Sequence, residues 1–176
     1  MTVPSGQSWA ELTVPGQHLR SGTPPSPGWY VEAPNAHRGP EPCLFLAGGI
    51  THCPDWQAEA VALLSEAAVV VLNPRRRLFD VSNRAAADGQ IRWEYEHLKR
   101  ADVVLFWFCA GPSAQPIALY ELGAMAAAGK RIAVGAHPDY SRRTDIRVQL
   151  ALSRPELAVH GDLAGTVAAA VAALPG

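Results

Sequence analysis

The residue best placed to do chemistry in this sequence is Glu121. It follows the apolar run 103–108 and a short loop rich in glycine, proline and serine, and it lies early in a helical pattern that begins near Pro116. Proline suits the first position of a helix, and the helix dipole there favours an ionised carboxylate. An ionised carboxylate is the form that a nucleophile needs. The alternative is a solvated or salt-bridged surface glutamate.

A second carboxylate, Glu94, lies in the segment Trp-Glu-Tyr-Glu at 93–96. We expect it near the start of a helix over 90–100, with Ile91, Tyr95 and Leu98 on one face. Two neighbouring carboxyl groups are what glycosyl chemistry requires, one to attack the anomeric carbon and one to hold or protonate a partner group. The alternative is an exposed helix charge, which is our interpretation of Glu96.

The sequence gives little support for a phosphate-binding loop, a metal site or a cysteine nucleophile. Gly48-Gly49 follows an apolar strand and allows close backbone approach to a ligand, but neither GxGxxG nor a Walker phosphate loop is present. The histidines and the three cysteines have no metal-ligand spacing, and Cys109 has no evident histidine partner. We therefore expect no metal and no cofactor.

Composition narrows the class of protein further. The net charge of −1 gives no basic field for nucleic acid. An odd cysteine count without a disulfide framework fits a reducing compartment. We see neither a signal peptide nor an apolar run long enough to cross a membrane. These features predict a cytoplasmic protein with small-molecule partners or copies of itself.

The elements that must position these residues alternate along the chain. Apolar runs predict strands at 43–47, 67–72, 103–108, 131–134 and, weakly, 157–159. Helical patterns cover 54–66, 90–100, 116–128 and 163–174, whereas 73–89 is expected to be a polar loop. The alternation predicts an α/β, flavodoxin-like three-layer fold with a five-stranded parallel sheet in the order 2-1-3-4-5. Its switch point, where ligands bind, then lies between the first and third strands.

Residues 1–42 differ from the rest. They hold eight of the fifteen prolines, which exclude long helices. We interpret them as an extended arm, with 29–31 as a possible edge strand, and residues 43–176 as the α/β domain.

Three motifs in this order resemble the nucleoside 2-deoxyribosyltransferase family, and its deoxyribosyltransferase-like branch in particular. They are Phe-Leu-Ala-Gly-Gly at 45–49, Trp93-Glu94 followed by Asp102, and Ala-Leu-Tyr-Glu-Leu-Gly at 118–123. The resemblance implies cleavage of an N-glycosidic bond between a base and a deoxyribose. It makes Glu121 the nucleophile, which forms a covalent glycosyl-enzyme, and places Glu94 at the base. The substrate-binding residues expected from the switch point and the resemblance are Phe45, Gly48, Gly49, Ile50, Asn73, Trp93, Gln115 and Asp145.

The resemblance also implies a homo-oligomer, because Asp145 matches a position that reaches the neighbouring subunit's site. Two residues depart from the family pattern. Phe45 replaces a tyrosine whose hydroxyl helps to orient the nucleophile, and Gln115 replaces an acidic residue. Three functions follow as hypotheses: transfer of the sugar to a second base, hydrolysis of a nucleoside or its 5′-monophosphate, and nucleotide sensing without turnover. For a phosphate, Arg75, Arg76 or Arg92 are the candidate contacts.

Overall fold

The structure, a computed structural model, describes residues 29–77 and 84–175. Residues 1–28 of the predicted arm and 78–83 of the predicted loop lie outside the described residues. The elements run, in chain order, β1 Tyr30–Glu32, β2 Cys43–Gly48, α1 Trp56–Leu63, β3 Val70–Asn73, α2 Arg84–Arg100, β4 Val103–Phe108, α3 Pro116–Ala127, β5 Ile132–Ala136, α4 Arg143–Ser153, β6 Val159–His160 and α5 Leu163–Ala172.

The strands form a single parallel sheet in the order β1-β3-β2-β4-β5-β6. The prediction of five strands is wrong, because a sixth, edge strand pairs with β3. The segment 29–31 of the predicted arm was expected as a possible edge strand, and β1 confirms it with bounds one residue later. The five predicted strands keep their expected relative positions inside this order. The order of the strands reverses between β2 and β4, because β3 lies on one side of β2 and β4 lies on the other. The switch point is therefore at the end of β2, where Gly48 pairs with Trp107.

Helices cover both faces of the sheet, as the three-layer prediction requires. Alternate residues of the central strands point to opposite sides, since strand side chains have a period of two. Phe45, Phe106 and Phe108 pack on one side in the apolar cluster that takes in α2, α3 and α4. Leu44 and Leu105 pack on the other side with residues of α1 and α5.

Helix α2 differs from its prediction in length and in orientation. It begins at Arg84, so Glu94 lies in the middle of the helix rather than near its start. The predicted face is also wrong for two residues, because Ile91 and Tyr95 are exposed while Trp93 and Leu98 are buried. The first turns of this helix contain no large apolar residue before Ile91 and include the poor helix former Gly89, so no apolar pattern in the sequence marks its beginning.

Helix α4 has no counterpart among the predicted elements. Its sequence is rich in polar residues, and only Ile146 and Leu150 are buried, four residues apart on one side. So narrow an apolar side gives a weak helical pattern in the sequence. Within the described part of the chain, no helix is long and apolar enough to span a bilayer.

Candidate active site

A cavity of about 270 Å³ opens at the carboxyl ends of β2 and β4. It brings together seven residues that were predicted to form the site: Phe45, Gly48, Gly49, Ile50, Glu94, Gln115 and Glu121. Sequence reasoning missed seven others in the lining: Ala47, Thr51, Pro74, Ser113, Pro116, Ile117 and Ala118. The missed residues are mostly small or apolar, so no chemical signal in the sequence distinguished them.

Glu121 is partly buried in this cavity, and its carboxyl group receives no hydrogen bond from the described residues. Burial, and then the nearby charge of Glu94, raise the pKa of Glu121 from 4.5 to about 7. Burial therefore opposes the ionised carboxylate that the helix dipole was expected to favour. Glu121 lies more than one turn into α3, beyond the range in which the dipole acts strongly.

Glu94 reaches the same cavity from α2. Burial raises the pKa of Glu94, and a hydrogen bond from the Gln90 side chain opposes the rise. The Gln90 Nε2 atom lies 2.8 Å from Glu94 Oε1. The two carboxyl groups thus differ in one respect, since Glu94 has a donor among the described residues and Glu121 has none.

The two glycines at the end of β2 lie where a side chain would collide with neighbouring atoms. A Cβ on Gly48 would collide with the Trp107 carbonyl oxygen and lie 2.7 Å from the Trp56 ring. A Cβ on Gly49 would collide with the Cys53 sulphur and lie 2.7 Å from the Gln115 amide. Close backbone approach between the loops therefore explains the Gly-Gly pair.

Gln115 joins the loop after β2 to the loop after β4. Its Oε1 accepts a hydrogen bond from the Gly49 N–H at 2.9 Å, and its Nε2 donates to the Cys109 carbonyl oxygen at 2.9 Å. The residue is buried and adopts a left-handed backbone conformation, with φ 50° and ψ 53°, at the start of α3. Such a conformation is costly for a residue other than glycine, so the surrounding contacts must hold it in place.

Comparison with known protein families identifies the family to which the chain belongs. Residues 41–140, more than half of the 176-residue chain, match the model of the family described as nucleoside 2-deoxyribosyltransferase like. The chain belongs to this family. A search of the curated proteins gives no match.

The region matched to the nucleoside 2-deoxyribosyltransferase-like family includes every residue that lines the cavity. It ends before Asp145, which lies in the first turn of α4. Asp145 lines a separate groove between α3 and α4 and lies 3.8 Å from Arg142. The structure therefore does not bring Asp145 to the cavity of its own chain.

Two further predicted substrate contacts, Asn73 and Trp93, are not among the residues that line the cavity. Asn73, at the end of β3, donates to the Tyr30 hydroxyl group at 2.9 Å and accepts from the Arg75 N–H. Trp93 is buried, stacks on His97 with ring centroids 4.1 Å apart, and donates its indole N–H to Asn35. Asn73 thereby holds the end of β3, and Trp93 holds α2, the helix that carries Glu94.

Arg75 holds the loop that follows β2. Its guanidinium group donates to the Gln57 side chain and to the backbone carbonyl groups of Ile50, Cys53 and Pro54. The guanidinium group of Arg75 is therefore hydrogen-bonded to other parts of the protein. The role was not visible in the sequence, because three of the four acceptors are backbone atoms.

Tyr140 binds the loop that follows β4. Its hydroxyl group donates to the Ala114 carbonyl oxygen at 2.7 Å, and its ring packs against Phe108. Burial raises the pKa of Tyr140 to about 12, so the phenol remains a donor at neutral pH. Arg75 and Tyr140 thus bind the loops after β2 and β4, and residues of both loops line the cavity that Glu121 and Glu94 share.

Proposed function

We propose that this protein cleaves N-glycosidic bonds and transfers (deoxy)ribose between nucleobases through a covalent glycosyl-Glu121 intermediate. The observation that carries the proposal is the pairing of Glu121 with Glu94 in one cavity at the switch point of the sheet. Ligands of open α/β sheets bind at that place. Membership of the nucleoside 2-deoxyribosyltransferase-like family agrees with this chemistry.

In the proposed first step, the ionised Glu121 carboxylate attacks C1′ of the nucleoside. The bond between C1′ and the base nitrogen breaks, and its electron pair stays with the base. Glu94 in its protonated form donates the proton that the leaving base requires. A second base then attacks C1′ from the face that the first base left, releases Glu121, and returns its proton to Glu94. Two inversions at C1′ give net retention.

The mechanism needs one proton on the pair of carboxyl groups, held by Glu94, with Glu121 ionised. Burial raises the pKa of both groups, and the charge of Glu94 adds to the rise at Glu121, whose pKa is about 7. The pair therefore loses its last proton as the pH passes about 7, and we expect activity to fall there. At low pH, where both carboxyl groups hold a proton, activity should fall as well, which gives a bell-shaped profile.

The cavity favours an uncharged nucleoside over a 5′-monophosphate. Its lining, within residues 29–77 and 84–175, contains two carboxyl groups and no lysine, arginine or histidine. The Arg75 guanidinium group already donates to four acceptors, and Arg92 is exposed on α2. Among the described residues that line the cavity, none is a cation that would compensate the negative charge of a phosphate group.

Hydrolysis is the second candidate, because Gln115 is not free to bind an acceptor base. Both ends of its amide are hydrogen-bonded inside the protein. If no side chain holds the second base, water can resolve the same glycosyl-Glu121 intermediate.

We also propose that the protein forms a homo-oligomer. The side chains of Ile117 and Tyr120 on α3 and of Val148 and Leu152 on α4 are exposed and apolar or aromatic. Contact between copies would cover them, as obligate interfaces do. Light scattering coupled to size-exclusion chromatography tests this assembly, and a monomer at micromolar concentration would contradict it.

The decisive experiment incubates the protein with a deoxynucleoside and a different free base, and separates the products by chromatography. An exchanged nucleoside indicates transfer, release of free base without an acceptor indicates hydrolysis, and thermal stabilisation by ligand without product indicates sensing alone. Glu121→Ala should abolish either reaction, whereas Glu96→Gln, on the exposed side of α2, should retain it. Full activity in Glu121→Ala would refute the assignment.

A further inference from the structure

Gln90 is a residue of α2 that neither the sequence motifs nor the cavity lining assigns to the site. It lies one helical turn before Glu94, so the two side chains share a face of the helix. Its Nε2 atom lies 2.8 Å from the Pro74 carbonyl oxygen and 2.8 Å from Glu94 Oε1. The two hydrogens of one amide nitrogen are thus divided between a backbone group and a carboxyl group.

Pro74 decides which way the Gln90 amide faces. A carbonyl oxygen can only accept a hydrogen bond, so the nitrogen of the amide must be the atom that faces it. In the reversed orientation, Gln90 Oε1 would face two oxygen atoms at hydrogen-bond distance. The observed orientation persists although it leaves the buried Gln90 Oε1 without a hydrogen-bond partner among the described residues. An unsatisfied buried acceptor is costly, but the reversed orientation would set Oε1 against the Pro74 carbonyl oxygen and deprive Nε2 of both its acceptors.

Gln90 therefore presents only a donor to Glu94. The facing oxygen, Glu94 Oε1, must act as an acceptor whether the carboxyl group is ionised or protonated, because two donors cannot face each other. The dissociable proton is left with Oε2, which has no hydrogen-bond partner in the described part of the chain.

We propose that Gln90 is a positioning residue that confines the proton of Glu94 to Oε2, the oxygen left to the substrate. The inference rests on the proposed function, since it assigns the oxygen through which Glu94 would protonate the leaving base. The backbone of Pro74, which follows β3, thereby sets the orientation of the acid on α2.

The hydrogen bond from Gln90 to Glu94 also affects which carboxyl group, Glu94 or Glu121, holds a proton. Donation from Gln90 favours ionised Glu94, and the charge of Glu94 in turn raises the pKa of Glu121. Gln90 and Glu121 are the groups that face Glu94, and the described residues bring no cation to the pair. Removal of the donor should therefore move the proton toward Glu94 and away from Glu121.

The test replaces Gln90 by methionine, which keeps the length of the side chain but has no N–H group. Carbon-13 NMR of the glutamate carboxyl groups, assigned with Glu94→Gln and Glu121→Gln, reports each titration directly. We expect the pKa of Glu94 to rise and that of Glu121 to fall from about 7. We also expect kcat to fall about tenfold with KM little changed, because the Glu94 carboxyl group loses the hydrogen bond that orients it.

Gln90→Glu is a second variant of similar size in case the methionine variant does not fold. It replaces the donor with an acid and should also raise the pKa of Glu94. Glu96→Gln on the same helix is the control and should leave both titrations unchanged. Unchanged titrations in a folded Gln90 variant would overturn the inference. Shifted titrations in a protein that shows no turnover would support the inference and refute the proposed function, so the two failures are distinguishable.

Discussion

Replacement of Glu121 by glutamine should make the folded protein more stable. In the unfolded chain a glutamate ionises with a pKa near 4.5, whereas in the folded protein the pKa of Glu121 is about 7. Between these values the folded state binds more protons than the unfolded state, so this residue lowers the free energy of unfolding as the pH rises. The loss is complete above about pH 7, and the Glu121→Gln variant would be free of it.

The magnitude follows from the shift of the pKa. A shift from 4.5 to about 7 corresponds to a destabilisation of about 3 kcal/mol at pH 8 in the linkage relation. The same relation gives about 1 kcal/mol at pH 5 and almost nothing at pH 4. Glutamine has nearly the same shape as the protonated acid, so its packing should not offset this gain.

Urea unfolding followed by tryptophan fluorescence measures the effect. With an m value of about 2 kcal/mol/M, the midpoint should rise by about 1.5 M at pH 8 and converge with the wild type near pH 4. Glu96→Gln serves as the matched control, because Glu96 is exposed on α2. Equal midpoints at pH 8, or a gain that does not depend on pH, would refute the burial of an uncompensated carboxyl group at position 121.

Two further substitutions test the loops. Gln115→Ala leaves a buried N–H group and a buried carbonyl group without partners, and should lower the free energy of unfolding by about 2–4 kcal/mol in urea titration; a loss below about 0.5 kcal/mol would mean that the amide does not link the loops. Gly48→Ala places a Cβ against the Trp107 carbonyl oxygen and should cost about 1–3 kcal/mol, visible as a lower Tm, whereas an unchanged Tm would show that the strands can separate without cost.

The sequence predicted those elements whose apolar pattern is strong. The strand at 103–108 is buried on both faces, and its predicted bounds agree with β4. The proline at position 116 marks the first residue of α3, as predicted. By contrast, α4 and residues 86–92 of α2 bury few side chains. The strand at 30–32, expected only as a possible edge strand at 29–31, has three residues, too few for a clear pattern. Their positions depend on pairing and packing with distant segments.

The site was predictable where it rests on residue type and position in the sheet. Glu121 and Glu94 were expected together, and they share a cavity. The roles of Gln90 and Tyr140 were not visible, because each side chain binds a backbone carbonyl group, of Pro74 and of Ala114 respectively. Every residue of a chain carries such a carbonyl group, so the sequence does not mark the partner.

The departures from the family pattern acquire a physical meaning in the cavity. Phe45 lacks the hydroxyl group of the expected tyrosine, so it offers no hydrogen bond to Glu121, and it adds apolar surface to the lining. Both effects disfavour the ionised carboxylate in the free protein. In the proposed reaction, the sugar develops positive charge at C1′, most strongly in the transition state, and this charge would stabilise the ionised Glu121. A carboxylate without a partner in the free protein would then be stabilised more in the transition state than in the ground state, which is the condition for raising kcat.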